Sequence, residues 1–370
     1  FKKEKKKYSF YILAGNKNIN KIENQIKKYK PKIFIVFDYK TYNKIKNKFK
    51  NKRIKILNSK NYLEFKFKKS DISISAIPGM AGLQPTLNLI KYSKKILIAN
   101  KESVICGWNL IDKLAKKYKT KIIPIDSEHF SIMNLIKGTK KNEIDKIYLT
   151  ASGGPFLYYP LNKIKKAGLR QALNHPKWKM GKKISIDSAT LMNKIFEVIE
   201  AQKLFSIDFN KIEILIHPQS LVHAIIKFKN GLYNFLYFET DMSIPIGNVL
   251  FDSDFEIKKH AGIKNNKKKD FIKNLNFLKV DPKRFPSIKL KPILNKYNSM
   301  PIVLNAANEI FVDQFLKKNI SFGSIINYLF NLLRDPNLRK YAIKKPSNLE
   351  SILTIDEWTR IKAKEILKKI

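Results

Sequence analysis

The sequence predicts an α/β protein with a Rossmann-like parallel-sheet domain first, a central α+β domain carrying the candidate site, and a C-terminal helical bundle. Three observations carry this prediction. Strand-like apolar runs alternate with lysine-rich helical patterns through residues 1–125, the order that yields a parallel sheet covered by helices. Between 126 and 251 short extended runs end in polar clusters, and a hairpin pattern follows. From 286 to 370 the apolar spacing is that of packed helices. Residues 252–285, lysine-rich and interrupted by Asp281, Pro282 and Pro286, read as a linker.

The totals exclude several classes. A chain of 370 residues with 44% hydrophobic and 12% aromatic residues can bury a large core in more than one domain. The net charge of +44 invites a nucleic-acid reading. Yet Arg occurs only at 53, 170, 284, 334, 339 and 360, and bidentate grips on phosphate or bases favour arginine. The lysines run from end to end beside Asn and Ile, so drift on solvated surfaces is preferred and non-specific polyanion binding is the minority reading. Cys106 is the single cysteine, which excludes an intrachain disulfide and a cysteine zinc site and fits a reducing, cytoplasmic setting. No apolar run reaches the length of a membrane span. Residues 1–14 superficially resemble a signal peptide, but their apolar part reads better as a buried strand.

In the first region 8–14, 32–38, 54–57, 72–76 and 95–99 are strand candidates and 19–29 a helix. A dinucleotide-binding sheet opens with a strand, a glycine-rich turn and a helix. No such turn precedes Gly15, and 1–7 look like the tail of a helix already under way. The expectation is a missing first strand and turn, on the order of 20 to 25 residues given a βαβ unit of about 30. The alternative is a sheet that never bound a dinucleotide. Asn16, Lys17 and Asn18 follow a strand where an adenosine ribose is met, and a lysine there favours a 2'-phosphate, hence NADP; an ordinary Asn/Lys turn is the alternative. Asn100, Lys101 and Glu102 follow strand 95–99, at the edge where ligands bind.

The central region is organised around 175–202. A loop bearing His175, Trp178 and Met180 leads through an extended piece at 184–186 to Asp187 and Ser188, which precede a helical pattern of Leu191, Ile195, Phe196, Val198 and Ile199. Asn193 and Glu197 share one face, and Lys194 leads Glu197 by three. Such a helix start suits a phosphate and the carboxylate a metal; a mere helix cap is the alternative. Strand 122–125 ends in Asp126, Ser127, Glu128 and His129, and residues two apart on an extended chain converge. Asp126 and Glu128 with Glu197 would make an oxygen site for Mg2+ or Mn2+, against a capping or solvent role. The run 149–156 passes from strand into Ser152, Gly153 and Gly154, where backbone can approach a phosphate. Strand 214–219 carries His217, and 224–228 with 232–238 forms the hairpin.

Six ordered motifs carry a resemblance: NKES at 100–103, PIDSEH at 124–129, LTASGGPF at 149–156, HPKWKMGKKISIDSATLMNK at 175–194, IHPQSLVHA at 216–224 and LNAANEI at 304–310. The chain from residue 8 onward resembles 1-deoxy-D-xylulose 5-phosphate reductoisomerases, NADPH- and metal-dependent enzymes of the non-mevalonate isoprenoid pathway. The resemblance implies Asp126, Glu128 and Glu197 as metal ligands. It implies phosphate binding by Ser152, Ser188, Asn193 and Lys194, and substrate contacts by Ser127, Lys101, His175 and His217, with Lys101, His175 and His217 catalytic. NADPH contacts would come from Asn16, Lys17, Asn18, Asn100, Lys101, Glu102, Met180 and Gly181. Trp178 would ride on a lid.

The implied chemistry is a metal-assisted rearrangement of the phosphorylated sugar, by retro-aldol cleavage and re-addition, followed by hydride reduction. A homodimer is expected, with neither a specific nucleic acid nor a membrane as partner. The chain departs from the family pattern at Ile195 (usually Gly), at Thr240 (usually Pro) and through 130–134.

Overall fold

The computed structural model describes residues 8–251, 255–257 and 274–368. Contacts divide the chain into two compact units, one reaching to Ser73 with Lys91–Lys94, the other comprising Ile74–Ile90 and everything from Lys95.

In the first unit β1 (Ile12–Gly15), β2 (Ile33–Val36) and β3 (Lys55–Asn58) form a parallel sheet in that order. Helices α1 (Ile19–Tyr29) and α2 (Tyr39–Lys48) connect them, and a short α3 (Asn61–Glu64) follows. All four residues of β2 are buried because both faces are covered: Phe34 and Val36 pack with Ile22, Ile26 and Ile45, while Ile33 and Ile35 pack with Leu57 and Tyr62. Asn18 caps α1 by accepting from the Lys21 N–H at 3.0 Å, and Lys30 in the left-handed region ends it.

A second sheet runs β4 (Ser70–Ser75), β5 (Ser93–Ile98), β6 (Lys121–Pro124), with β5 and β6 parallel. Helices α4 (Leu83–Lys91), α5 (Lys101–Tyr118) and α6 (Ser127–Leu135) accompany it. The third sheet contains β7 (Ile144–Ala151), β8 (Ile212–Ile216), β9 (Val222–Phe228), β10 (Tyr233–Tyr237) and β11 (Leu278–Lys279) in the order β10-β9-β7-β8-β11. Only β7 and β8 pair in parallel. Between β7 and β8 lie α7 (Leu161–Ile164), α8 (Leu169–Leu173), α9 (Lys182–Ala189) and α10 (Met192–Phe205); α11 (Ser243–Phe251) follows β10. The C-terminal helices are α12 (Lys291–Leu294), α13 (Met300–Leu316), α14 (Phe322–Leu332), α15 (Leu338–Ala342) and α16 (Leu349–Lys368).

One apolar core serves the whole second unit. It joins Ile96 and Ile98 of β5, Val104 of α5, Ile147 and Leu149 of β7, Phe196 and Ile199 of α10, and Val303 and Phe311 of α13. Helix α10 is its centre: every residue from Lys194 to Ala201 is buried.

The expected strands and the hairpin form close to their predicted places, and α1 spans 19–29. Three local expectations are corrected. Residues 184–186 are helical, inside α9, because Ile186 packs in the core while Ser185 bonds back to the Gly181 carbonyl. Asp187 and Ser188 therefore close α9 instead of opening the next helix; α10 starts at Met192, after Leu191 turns the chain at φ 66. Asp126 and Glu128 do not alternate on a strand: Asp126 is the N-cap of α6 and Glu128 lies in its first turn. Of the expected linker, 252–254 and 258–273 lie outside the described residues, as do 1–7, while 278–279 join the third sheet. The expected C-terminal bundle forms, with the short α15 before the long α16.

Gly82 follows β4 at a tight point, where a Cβ would lie 2.3 Å from the Ile77 carbonyl oxygen and 3.0 Å from the Asn100 amide. Gly82→Ala is expected to lower stability by about 1–3 kcal/mol in denaturant unfolding. Gly181→Ala, with nothing within 4 Å of its Cβ, should stay within about 0.5 kcal/mol of the parent.

Candidate active site

Two helix starts at strand ends place the first charged groups. Asn100 caps α5 by accepting from the Ser103 N–H at 2.7 Å, while its amide donates to the carbonyls of Ile77 (2.5 Å) and Gly79 (3.1 Å). Lys101 is thereby the first residue of α5. Asp126 caps α6 by accepting from the His129 N–H at 2.9 Å, which puts Ser127 and Glu128 in that helix's first turn.

These groups meet α10. Lys101 Nζ donates to Asn193 Oδ1 at 2.7 Å and Glu197 Oε1 at 2.8 Å, and Asn193 Nδ2 donates to the same carboxylate oxygen at 2.5 Å. Lys194 Nζ bonds Glu128 Oε1 and lies 2.5 Å from Glu197 Oε2, an ion pair not aligned as a hydrogen bond. Ser127 donates to Glu128 Oε2 at 2.7 Å. The expected residues Lys101, Ser127, Glu128, Asn193, Lys194 and Glu197 thus form one contact network.

The electrostatics follow from burial and pairing. Burial works against ionising Glu128, but the Lys194 ammonium outweighs it and brings the carboxyl down to about 2. Burial likewise opposes the Lys101 and Lys194 charges, and the facing carboxylates raise both nonetheless. Behind this pair sits a second layer. His129 Nδ1 lies 2.8 Å from Asp126 Oδ1 and Nε2 lies 3.1 Å from the Glu197 carbonyl oxygen. Both partners are acceptors, so both nitrogens donate and the ring is an imidazolium. Burial opposes that charge, yet Asp126 and Glu200 raise it to about 10. Burial pushes the Glu200 carboxyl up to about 7.

Oxygen donors buried this way fit a hard divalent cation, and Glu197 Oε2 has no hydrogen bond among the described residues. Asp126, His129 and Glu200 also present ligand atoms within 4.8 Å of one another, but a doubly donating imidazolium has no lone pair for a metal.

The residues expected at a phosphate centre on Ser152. His175 Nδ1 accepts from the backbone N–H groups of Lys177 (3.2 Å) and Trp178 (2.9 Å), so Nε2 carries the proton and donates to Ser152 Oγ at 2.9 Å. Gly154 N–H donates to the same oxygen at 3.1 Å, leaving the serine hydroxyl to donate outward. Burial holds His175 neutral, down to about 4. A Cβ on Gly154 would meet the Ser188 carbonyl at 3.2 Å, so the Ser-Gly-Gly turn lies against the end of α9 and brings Ser188 close. His217 Nδ1 donates to the Asn276 carbonyl at 2.9 Å and the ring stacks on Phe277, with Nε2 unpartnered among the described residues.

The expected cofactor residues fall in two places. Asn16, Lys17 and Asn18 form an exposed turn at the carboxyl end of β1, in the first unit. In the second unit Glu102 pairs with Lys183 at 3.2 Å, which also reaches Asp187 at 3.1 Å, and Met180 and Gly181 end the loop before α9. Asn308 of α13 donates to Asp187 at 2.7 Å. Sequence reasoning did not assign His129, Lys183, Glu200 or His223. Glu200 at three from Glu197, and Lys183 at four from Asp187, carried the helical spacing that could have pointed to them.

A 1-deoxy-D-xylulose 5-phosphate reductoisomerase from Pelagibacter ubique is 44% identical over 367 residues, 98% of this chain and 93% of its own. The chain belongs to this reductoisomerase family. The model of 1-deoxy-D-xylulose 5-phosphate reductoisomerase matches residues 1–107, that of its C-terminal domain 122–205, and that of the DXP reductoisomerase C-terminal domain 239–362. A relative of the same name from Sulfurihydrogenibium is 38% identical over 370 residues, all of this chain and 93% of its own.

Among solved structures, a DOX-P reductoisomerase in complex with NADPH, fosmidomycin and magnesium superposes with a TM-score of 0.89 at 31% identity, covering 99% of this chain and 93% of that one. The Zymomonas mobilis enzyme in complex with NADPH gives 0.85 at 30% identity, covering 100% and 94%. The Rossmann-like fold class agrees with these.

Lys194 is the only cation bonded to Glu128 among the described residues. Lys194→Met leaves buried carboxylates uncompensated and is expected to cost about 3–5 kcal/mol in denaturant unfolding. Glu128 has its pKa depressed, so its stabilisation is present above the ordinary value of 4.5 and lost as pH falls toward about 2. That part of the acid limb should vanish in Lys194→Met.

Proposed function

We propose that this chain catalyses the NADPH- and divalent-metal-dependent rearrangement and reduction of 1-deoxy-D-xylulose 5-phosphate to 2-C-methyl-D-erythritol 4-phosphate. The observation that carries it is the joining of Glu128 and Glu197 through Lys194 beside a phosphate-type turn at Ser152. The family and the ligands named for its solved members support the cofactors. Asp126, Glu128 and Glu197 would hold Mg2+ or Mn2+. Asn16, Lys17, Asn18, Asn100, Lys101, Glu102, Met180 and Gly181 would contact NADPH. When bound, the metal supplies Lewis-acid polarisation of substrate oxygens and NADPH supplies the hydride.

The chain's own residues bind and orient. Each ammonium has three donors; Lys101 directs two at Asn193 and Glu197 and Lys194 one at Glu128, so each keeps a donor for substrate oxygens. Ser152 donates outward to the phosphate because His175 and Gly154 occupy its acceptor side, and Ser188, Asn193 and Lys194 complete that grip. His175 also ties Trp178 through its backbone, so phosphate binding and the position of loop 174–181 are coupled. Closure of that loop would exclude water from the reacting carbons. Lys101, His175 and His217 are the proposed catalytic contacts.

We further infer a homodimer. The third sheet exposes Leu232, Tyr233, Phe235, Phe277 and Leu278, an apolar face that a second copy would cover. No described helix is long and apolar enough to cross a membrane. A cytoplasmic setting is proposed from the single, buried Cys106. The functional division proposed is 1–125 for NADPH, 126–251 for metal and substrate, 252–285 as linker and 286–370 as bundle.

NADPH oxidation should require both 1-deoxy-D-xylulose 5-phosphate and Mg2+ or Mn2+, and should stop on chelation. Glu197→Gln is expected to lower kcat/KM by at least about a hundredfold. No oxidation with either metal would sink the assignment. In sedimentation, the parent should be a dimer and Phe235→Glu a monomer; a monomeric parent would overturn the interface.

A further inference from the structure

Lys183 has been given no role above, yet it touches three helices of the site. It is the second residue of α9, two positions after the expected cofactor residue Gly181. Its Nζ donates to Glu102 Oε1 of α5 at 3.2 Å and lies 3.1 Å from Asp187 Oδ2, one turn further along its own helix. The same ammonium stands over the Phe196 ring of α10, 5.7 Å from its centroid.

Both partners are anchored in turn. Glu102 Oε2 accepts from the Asn100 amide at 3.3 Å, and that amide also holds the Ile77 and Gly79 carbonyls. Asp187 is buried, and its Oδ1 accepts from Asn308 of α13 at 2.7 Å. A chain of polar contacts therefore runs from loop 77–79 through Asn100, Glu102, Lys183 and Asp187 to the C-terminal bundle. Lys183 is the link that joins α5 to α9. Burial opposes its charge, but Asp187, Glu102 and Glu309 outweigh that and raise its pKa. Without this cation, Glu102 and Asp187 would converge with no counter-charge between them, and like charges that close repel.

What the two ends carry decides what the link does. Glu102 stands with Asn100 and Lys101 at the edge proposed for NADPH, and Asp187 precedes Ser188 of the proposed phosphate grip. Among the described residues, Lys183 forms no ion pair with Asp126, Glu128 or Glu197. Its influence therefore falls on the separation of cofactor and sugar phosphate, and not on the proposed metal ligands.

We propose that Lys183 is a positioning residue for hydride transfer, bridging Glu102 on the cofactor side to Asp187 on the phosphate side so that NADPH and the sugar phosphate are held at a fixed separation. Small misplacements of two reacting groups are costly, of the order of a hundredfold in rate for about 1 Å. This inference rests on the function proposed above.

Lys183→Met removes the charge and keeps an apolar stem. It should lower kcat by about tenfold to a hundredfold and raise the deuterium isotope effect on kcat, measured with NADPH labelled at the transferred hydride. KM for the sugar phosphate should stay within about twofold of the parent, because Asn308 still holds Asp187. A parental isotope effect in Lys183→Met would overturn the proposal: a purely structural role lowers the folded fraction and leaves the limiting step of the folded enzyme unchanged. Should the Met variant not fold, the parent decides. In crystals of its complex with NADPH, Mg2+ and 2-C-methyl-D-erythritol 4-phosphate, Lys183 should still bridge Glu102 and Asp187. A Lys183 that leaves Glu102, or that bonds either ligand directly, overturns the proposal. Failure of the parent to oxidise NADPH with the sugar phosphate would instead remove the underlying function.

Discussion

The structure depends on burying negative charge on a helix that has no solvent face. Helix α10 is enclosed by the core, yet it carries Glu197 and Glu200 inward. Isolated carboxylates in that setting would be neutralised or would unfold the region. Lys194 and Lys101 pair with Glu197, and in the second layer His129 faces Glu200 at 3.6 Å. Charge pairing at this cluster is therefore already part of folding: the protein supplies its own positive charges to the buried carboxylates.

Position in that cluster is set by caps at the ends of parallel strands. Asn100 and Asp126 follow β5 and β6, which lie side by side in register, so α5 and α6 start next to one another. Each cap side chain does a second job. Asn100 holds the loop at 77–79, and Asp126 orients His129. Helix starts also favour nearby carboxylates through the helix dipole, which suits Glu102 and Glu128 in the first turns. Polar residues that a capping argument alone would explain thus serve the site as well, and the two accounts are not rivals here.

That overlap explains what was legible in the sequence. Strands appeared as apolar runs because β2, β5 and β7 are covered on both faces, and α1 because its apolar stripe faces one sheet. The residues of the site were legible as types: a strand end with Asp126 and Glu128, and a helix face with Asn193, Lys194 and Glu197. Their local geometry was not. At 182–191 the helix of α9 overrides an apparent strand, since Ile186 and Ala189 gain core contacts that propensity cannot register. His223 and Glu200 were hidden because they are placed by long-range packing, against Phe238 and His129, and not by spacing. Residues 258–273, read as linker, lie outside what the structure describes.

The C-terminal region, from Arg284 onward, is more than support. Ser287 donates to the Thr190 carbonyl at 2.5 Å, at the corner where α9 gives way to α10, and Arg284 donates to the carbonyls of Phe156 and Tyr159 just beyond the Ser-Gly-Gly turn, both at 2.6 Å. Asn308 of α13 holds Asp187. These contacts fix the backbone after the Ser-Gly-Gly turn and next to the left-handed Leu191, a conformation that costs a branched residue about 1–2 kcal/mol. Ile195, where the family pattern usually has glycine, is fully buried in the same core and bonds its N–H to the Leu191 carbonyl. Its side chain joins the same apolar cluster as Leu191. The bundle and α10 therefore act as one packed body, and Asn193, Lys194 and Glu197 inherit their positions from it.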